Sequence, residues 1–563
     1  MLPGANAVET SRITADVFSG LDRRARPLAG TFADMKNLWG GAYPLLETRP
    51  ARSLAGTLSR PQGLLGRDCL CWVDGSVLYV NGAGTDLGLT DGEKQLVSMG
   101  AYITVFPDGK YLNTADFSDH GSIEARATAA SGAVLTLCAP DGTPYSLVTS
   151  ETEPEDAAVG LLWLEPTEPA LRRRSESGWA EETDACIRIE AAGIGAPFLA
   201  GDGIEIFGAE AASLRGSFVL EDAGEDFVLL RGLLPAGEVR QSTPLTVMRP
   251  LPQMDFVTEC GNRLWGCRYG MEGGKAVNEI YASKLGDFKN WSCFAGLSTD
   301  AWVASRGADG PFTGAVTWQD TPIFFRENCI ERVYPAADGA HSIVSVPAEG
   351  IMRGCAATAV PVRGALYYLS RGGVMAYDGA LPVCVSDRLG TLRCERACAG
   401  ALGGDYYLCL RSGGSAQLLQ LDTVRGNWYA QDDLSVLAFA ACGWELYALC
   451  EDGALLALTG GGEEDPIEWA FETGDLGLDV PEAKYISRLR LRCSLGGTMK
   501  TFLRYDSETE WRCAGTVHSH GLRSFTLPIR PRRCDHLRIR IEGSGAFRLY
   551  SLSRILEKGS DAL

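Results

Sequence analysis

Apolar and β-branched runs of four to eight residues recur along the chain, each closed by turn-forming residues. In CLCWVDGSVLYV (69–80), AYITVFPDGKYLN (101–113), VLTLCAPDGTPYSLV (134–148) and ELYALCEDGALLALT (445–459), two such runs flank an Asp-Gly dipeptide. Asp-Gly favours the left-handed turn that joins paired strands, which makes it the strongest short hairpin mark. It occurs nine times, at Asp74, Asp91, Asp108, Asp141, Asp202, Asp309, Asp338, Asp378 and Asp452. The pattern predicts an all-β chain. A 3.6-residue period is nowhere sustained, and the best helical stretch, around Asp91–Met99, predicts about two turns.

Between residues 251 and 460 the hairpins acquire a period of roughly 40–50 residues, the spacing of β-propeller blades with four short strands each. NRLWGCR (262–268) with NEIYASKL (278–285), PIFFRENCIERVYP (322–335), GALYYLSRGGVMAYDG (364–379), DYYLCL (405–410) with LLQLDTVRGNWYAQ (418–431), and ELYALCEDGALLAL (445–458) are its units. Trp265, Trp291, Trp318 and Trp428 are spaced to fill equivalent slots between successive blades. The expected organisation is an extended segment over 1–55, first blades over 56–117, an inserted small β-barrel-like domain over 118–250, the remaining blades over 251–460 and a C-terminal β-sandwich over 461–563. About six blades are expected in all. The linker 151–184 is read as a solvated loop that carries Arg172, Arg173 and Arg174.

Charge changes the picture of partners. The 563 residues carry Lys+Arg 52 against Asp+Glu 71, a net charge of −19. A general binder of nucleic acid or anionic membrane has the opposite sign. The opening thirty residues contain Glu9, Asp16, Asp22, Arg23, Arg24 and Arg26, with no apolar core of a signal peptide. No run approaches the ~18 apolar residues of a membrane span. The 18 cysteines, from Cys69 to Cys534, are therefore expected as reduced, mostly buried thiols.

Candidate chemistry is sparse. The histidines are His120, His341, His518, His520 and His536, and none stands in a zinc-ligand spacing. His518 and His520 are read as lying in a loop. The chain has no nucleophile elbow, Walker motif or dinucleotide fingerprint. SKLGDFKNW (283–291) and LDTVRGNW (421–428) end like the Asp-box turns of sialidase propellers without matching their order. No catalytic, cofactor-binding or metal site is expected.

Several stretches together resemble virion proteins of tailed phages. FADMKNLWGGAYPLLETRPAR (32–52), EKQLVSMGAYITVFPDGKYLNTAD (93–116), CGNRLWGC with NEIYASKLGDFKNW (260–291), FFRENCIERVYP (324–335), LSRGGVMAYDG (369–379) and IRPRRCDHLRIRIEGSGAFRLYSLSR (529–554) occur in that family's order. The relatives meant are the tail-hub (nozzle) and packaged-DNA stabilisation proteins of short-tailed phages. The resemblance implies a non-enzymatic virion component, assembled in the bacterial host cytoplasm as a homo-oligomeric ring of the tail or neck. It implies portal, adaptor or other tail proteins as partners, with DNA passing through without sequence-specific binding. The alternatives are a tail protein that binds host-surface glycan and a glycan-active propeller enzyme.

Six residues are expected at contacts between subunits. Trp39, Tyr43, Arg49 and Arg52 lie in the opening segment. Arg538 and Arg540 share one face of a strand whose other face carries Leu537, Ile539 and Ile541.

Overall fold

The computed structural model describes residues 10–558 apart from 26, 168, 308, 309, 463 and 481–483. The chain is all-β. Among the described residues, helix is confined to three single turns, Ala212–Leu214, Ala356–Thr358 and Asp387–Leu389. Where two helical turns are expected, residues Gln95–Met99 form a strand paired with Tyr102–Phe106. Leu96, Val97 and Met99 are all buried there, and Gly100 turns the chain at a φ of 57°. The hairpin partner thus decides a stretch too short to hold its own helix.

Small sheets of sequential strands dominate. Residues 61–86, 95–122, 256–305, 314–346, 360–384 and 396–430 each form a four-stranded meander. In a seventh, Val436–Cys442, Glu445–Cys450 and Ala454–Ala457 are completed by Ser53–Thr57 from the opening of the chain. Asp74, Asp108, Asp338, Asp378 and Asp452 lie in hairpin turns as predicted, with Gly75, Gly109, Gly339, Gly379 and Gly453 at positive φ, while Asp309 lies outside the described residues. Asp91-Gly92, in the connection between two separate sheets, and Asp202-Gly203 are exceptions. Asp202 is wholly buried and accepts hydrogen bonds from Arg249 at 2.6 Å and Asn290 at 2.7 Å.

The chain falls into two compact units. One comprises residues 94–323 and 331–344. Within it, an eight-stranded sheet spans 125–249 around a core that includes Leu135, Ile187, Ile189, Ile204, Leu230 and Val247. The supposed loop 151–184 is not a loop. Leu162–Glu165, Ala170–Ser175 and Gly178–Glu181 are strands of a separate small sheet. The arginine triplet is placed by that sheet: Arg172 pairs with Glu165 at 3.0 Å, Arg173 with Glu182 at 2.7 Å, and Arg174 lies over the Trp179 ring. Trp265 and Trp291 are buried in this unit, each donating its indole N–H to a backbone carbonyl, of Cys260 and Phe288 respectively.

The other unit comprises residues 1–93, 324–330 and 345–563. The first strands of its meanders lie side by side: Val360–Val362 against Arg396–Leu402, that strand against Val436–Cys442, and that against Pro61–Gly66. Glycine permits the approach. A Cβ on Gly400 would stand 2.5 Å from the Phe439 Cβ, and one on Gly66 2.2 Å from the Ala441 carbonyl oxygen. Cys398, Tyr407, Cys409, Leu418 and Leu446 fill the space between two of these sheets. Trp428 is buried here and donates to the Val385 carbonyl at 2.9 Å.

The opening of the chain is not an independent extended segment. Thr10–Ala15, Phe32–Lys36, Leu38–Trp39 and Leu46–Thr48 are strands of one ten-stranded sheet with residues 468–558. Phe32–Lys36 pairs with Glu468–Thr473, and Thr10–Ala15 with the end of Phe547–Lys558. The 22-residue strand Lys484–Tyr505 organises this sheet. Along one edge it carries Arg512–Leu527; along the other it pairs with Phe547–Lys558 up to Leu495 and with Leu537–Ser544 from Thr498 onward. The change of partner falls at Gly496-Gly497, where small residues let the strand bend. Leu489, Leu491, Cys493, Leu495, Met499, Ile539, Ile541 and Leu549 are wholly buried, and the Trp469 ring stacks on Phe547 with centroids 3.9 Å apart.

Candidate interaction surface

Alternation along Lys484–Tyr505 separates two faces. The odd-numbered residues from Leu489 to Leu495, with Met499, form core, while Arg488, Arg490, Arg492 and Lys500 point to solvent. The register carries this face onto the neighbouring strand: Arg490 stands opposite Thr526, Arg492 opposite Ser524, Gly496 opposite His520, Thr498 opposite His518 and Lys500 opposite Thr516. From Arg488 to Lys500 the face runs about 40 Å, at roughly 3.3 Å per residue. Together the two strands carry eight Lys or Arg and no Asp or Glu, in a chain of net charge −19. Arg492 reaches only the Ser524 hydroxyl, at 3.3 Å, and Arg488, Arg490 and Lys500 have no carboxylate partner among the described residues.

His518 and His520 belong to this face. They lie on strand Arg512–Leu527 and not in a loop, and His518 Nδ1 is 3.0 Å from the Thr498 hydroxyl. Among the described residues, no group of three or more His, Cys, Asp or Glu side chains converges as a metal site.

Arg538 and Arg540 project away from the core, opposite the buried Leu537, Ile539 and Ile541. Both are paired within the sheet. Arg538 bonds to Asp475 and, at 3.3 Å, to Glu472, while Arg540 meets Glu542 at 2.6 Å. The bond to Asp475 leads the causes that raise the Arg538 pKa above its ordinary value. Neighbouring carboxylates, which strand alternation does not reveal, thus separate these two arginines from the unpaired set.

The opening residues divide in the same way. Arg49 and Arg52 are buried and held inside the chain. Arg49 donates to both Glu464 oxygens and to the Asn37 side chain, and Arg52 reaches Asp432 at 2.7 Å and Gln431 at 3.0 Å. Burial works against ionised Glu464, but the bonds from Arg49 and from the Arg52 amide outweigh it and hold the carboxyl below its ordinary value. Trp39 is half-buried, with its ring against Gly41. Tyr43 is exposed, and the Arg425 guanidinium lies over its ring at 4.5 Å from the centroid. Arg49 and Glu464 also line a cleft of about 590 Å³ that Ser494, Gly496 and Gly521 of the long strands help to close.

Among exposed apolar side chains, Trp444 is the extreme. It sits in the turn between Val436–Cys442 and Glu445–Cys450 and is 97 % exposed. No sequence pattern distinguishes it from the buried tryptophans except the preceding Gly443 in that turn.

No family model and no curated protein matches the chain. Among solved structures, a computationally designed protein aligns with 73 % of this chain and 99 % of its own, at 10 % identity and a TM-score of 0.32. An exo-β-1,3-galactanase from Phanerochaete chrysosporium covers 53 % of this chain and 94 % of its own, at 9 % identity and a TM-score of 0.22. The phage phi92 endosialidase covers 76 % and 64 %, at 8 % identity and a TM-score of 0.21. Likenesses this distant carry no argument about what the chain does. No helix among the described residues is long and apolar enough to cross a membrane.

Proposed function

We propose that this chain is a non-enzymatic structural subunit of a phage tail or neck, assembled as a homo-oligomeric ring through which DNA passes. The observation that carries the reading is the unpaired basic face of Arg488, Arg490, Arg492 and Lys500 on an otherwise acidic molecule. Its occupant is the acidic surface of a neighbouring copy. Complementarity between this local basic face and the acidic remainder of the surface favours that contact. In this reading the four-stranded meanders are blades of the expected propeller. Ser53–Thr57 supplies its closing strand, and the ten-stranded sheet is the C-terminal sandwich. The phage-like order of stretches from 32–52 to 529–554 supports the virion setting and the portal, adaptor or other tail proteins as further partners.

Mass photometry of the full chain at low and high salt tests the ring. A discrete oligomer that Arg488→Glu with Arg490→Glu dissociates at low salt supports it. A wild-type monomer at micromolar concentration, or an oligomer indifferent to the charge reversal, overturns it. Proteomics of purified particles of the phage that encodes the chain tests the virion assignment.

A second reading, recognition of host-surface glycan, is favoured by Trp444, because an aromatic ring bare to solvent can stack on a sugar face. Loss of host-cell binding in Trp444→Ala, with the oligomer intact, selects it.

A further inference from the structure

We propose that Cys355 and Cys394 are a modification site: a thiol pair that closes to a disulfide on meeting a low-molecular-weight disulfide oxidant. Their sulfurs are 3.9 Å apart. Cys355 directly precedes the turn Ala356–Thr358, and Cys394 lies just before strand Arg396–Leu402. The two backbone stretches are already in contact. A Cβ on Gly354, which has a φ of 81°, would stand 2.6 Å from the Glu395 carbonyl oxygen. A bond of about 2.0 Å therefore asks for side-chain rotation and a small local shift, within reach of the linker that carries Cys394.

Access orders the steps. Cys355 is wholly buried, whereas Cys394 is half-buried between the exposed Arg393 and Glu395. The Cys355 thiol donates toward the Cys394 sulfur, which lowers the Cys394 pKa below its ordinary value and favours its thiolate. The Cys394 thiolate attacks one sulfur of the oxidant, forming a mixed disulfide and expelling one small thiolate, which takes up a proton. Cys355 then loses its proton and attacks the Cys394 sulfur, expelling the second small thiolate. Two protein thiols are oxidised to one disulfide, and one small disulfide is reduced to two thiols that carry the two protons.

Other cysteine neighbours lack this combination. Cys69 and Cys71 approach to 3.5 Å but are two residues apart, so their bridge would close only a small strained ring. Cys398 stands opposite Cys409, yet both are buried and donate to the carbonyls of Val436 and Leu434. A Cys355–Cys394 bridge would enclose the whole meander 360–384. The thiols would stay reduced where the chain is made and close in a more oxidising setting.

The test treats the folded, full-length chain with oxidised glutathione, then blocks remaining thiols and maps peptides by mass spectrometry. The Cys355–Cys394 linked peptide is expected first and is reversed by dithiothreitol. Trypsin cleavage after Arg393 is expected to slow by about tenfold in the bridged form, because the linker can no longer open. Cys355→Ala should arrest the reaction as a stable glutathione adduct on Cys394, whereas Cys394→Ser should leave Cys355 unmodified and unbridged. Circular dichroism checks that both variants fold, and the wild-type peptide map decides the matter if one does not. Full alkylation of both cysteines after oxidation, or earlier bridging of another pair, overturns the proposal.

Discussion

Arg49 meets the Glu464 carboxylate in two parallel hydrogen bonds, Nη2 to Oε1 at 2.6 Å and Nη1 to Oε2 at 2.8 Å, across 415 residues of chain. The contact locks the opening of the chain to the residues that lead into the C-terminal sheet. The Arg49 side chain is almost wholly buried, so loss of Glu464 would leave a desolvated charge with only the Asp432 carboxylate, at 3.6 Å, beside it.

Glu464→Gln should therefore destabilise the chain by roughly 2–3 kcal/mol at pH 7, below the roughly 3–5 kcal/mol of a fully buried broken pair, because Glu464 keeps some contact with water and Asp432 stays beside Arg49. The folded carboxyl titrates below its ordinary value of 4.5, so its contribution is complete above that pH and fades as pH falls through the folded value. Urea denaturation of wild type and variant at pH 7 and in steps below pH 4.5 checks this. The two curves should converge in acid.

Asp405 has the opposite sign. Burial leads the causes that push its pKa up from 3.8 to about 6, although Gln420 donates to it at 2.9 Å. Its ionised form costs stability as pH rises from 3.8 through 6, and the full cost persists above. Asp405→Asn should thus stabilise the chain by roughly 1–2 kcal/mol at pH 7.5 and by almost nothing at pH 4. Equal stabilities at both values would contradict the assignment.

Trp265, Trp291 and Trp428 are buried and hydrogen-bonded to backbone carbonyls. Each Trp→Ala should cost about 3–5 kcal/mol, through lost burial and the cavity left behind. Trp444→Ala, in an exposed turn, should change the melting temperature little. Calorimetry of the four variants separates the two classes.

Reversing charge should separate the basic residues of the C-terminal sheet by stability as well as by assembly. Arg538→Glu would set a new carboxylate against Asp475 and Glu472 and should destabilise by about 2 kcal/mol. Arg488→Glu with Arg490→Glu touches no ion pair and should stay within about 0.5 kcal/mol of wild type per site. Chemical denaturation in low salt makes the comparison. A stability loss in the second variant equal to that in the first would remove the distinction.

Removing residues 1–52 would delete four strands of the ten-stranded sheet together with Arg49 and Arg52. A folded C-terminal sheet is not expected to survive that deletion, which makes the opening of the chain part of the fold before it can serve any neighbour.

The strand alternation, the Asp-Gly turns and the buried tryptophans were legible from residue order, because hairpin pairing and a two-residue side-chain period are local properties. The outward direction of Arg538 and Arg540 was legible for the same reason: Leu537, Ile539 and Ile541 must face the core. Which arginines remain unpaired was decided only by tertiary structure. Glu472 and Asp475 reach Arg538 from a distant stretch of chain, and Glu464 reaches Arg49 across most of it, while among the described residues nothing equivalent reaches Arg488 or Arg490. The same physics turned Asp202 from an apparent hairpin mark into a buried acceptor, and the opening residues into sheet. A sequence specifies each side chain's charge and local direction, but long-range folding brings the opposite charges together.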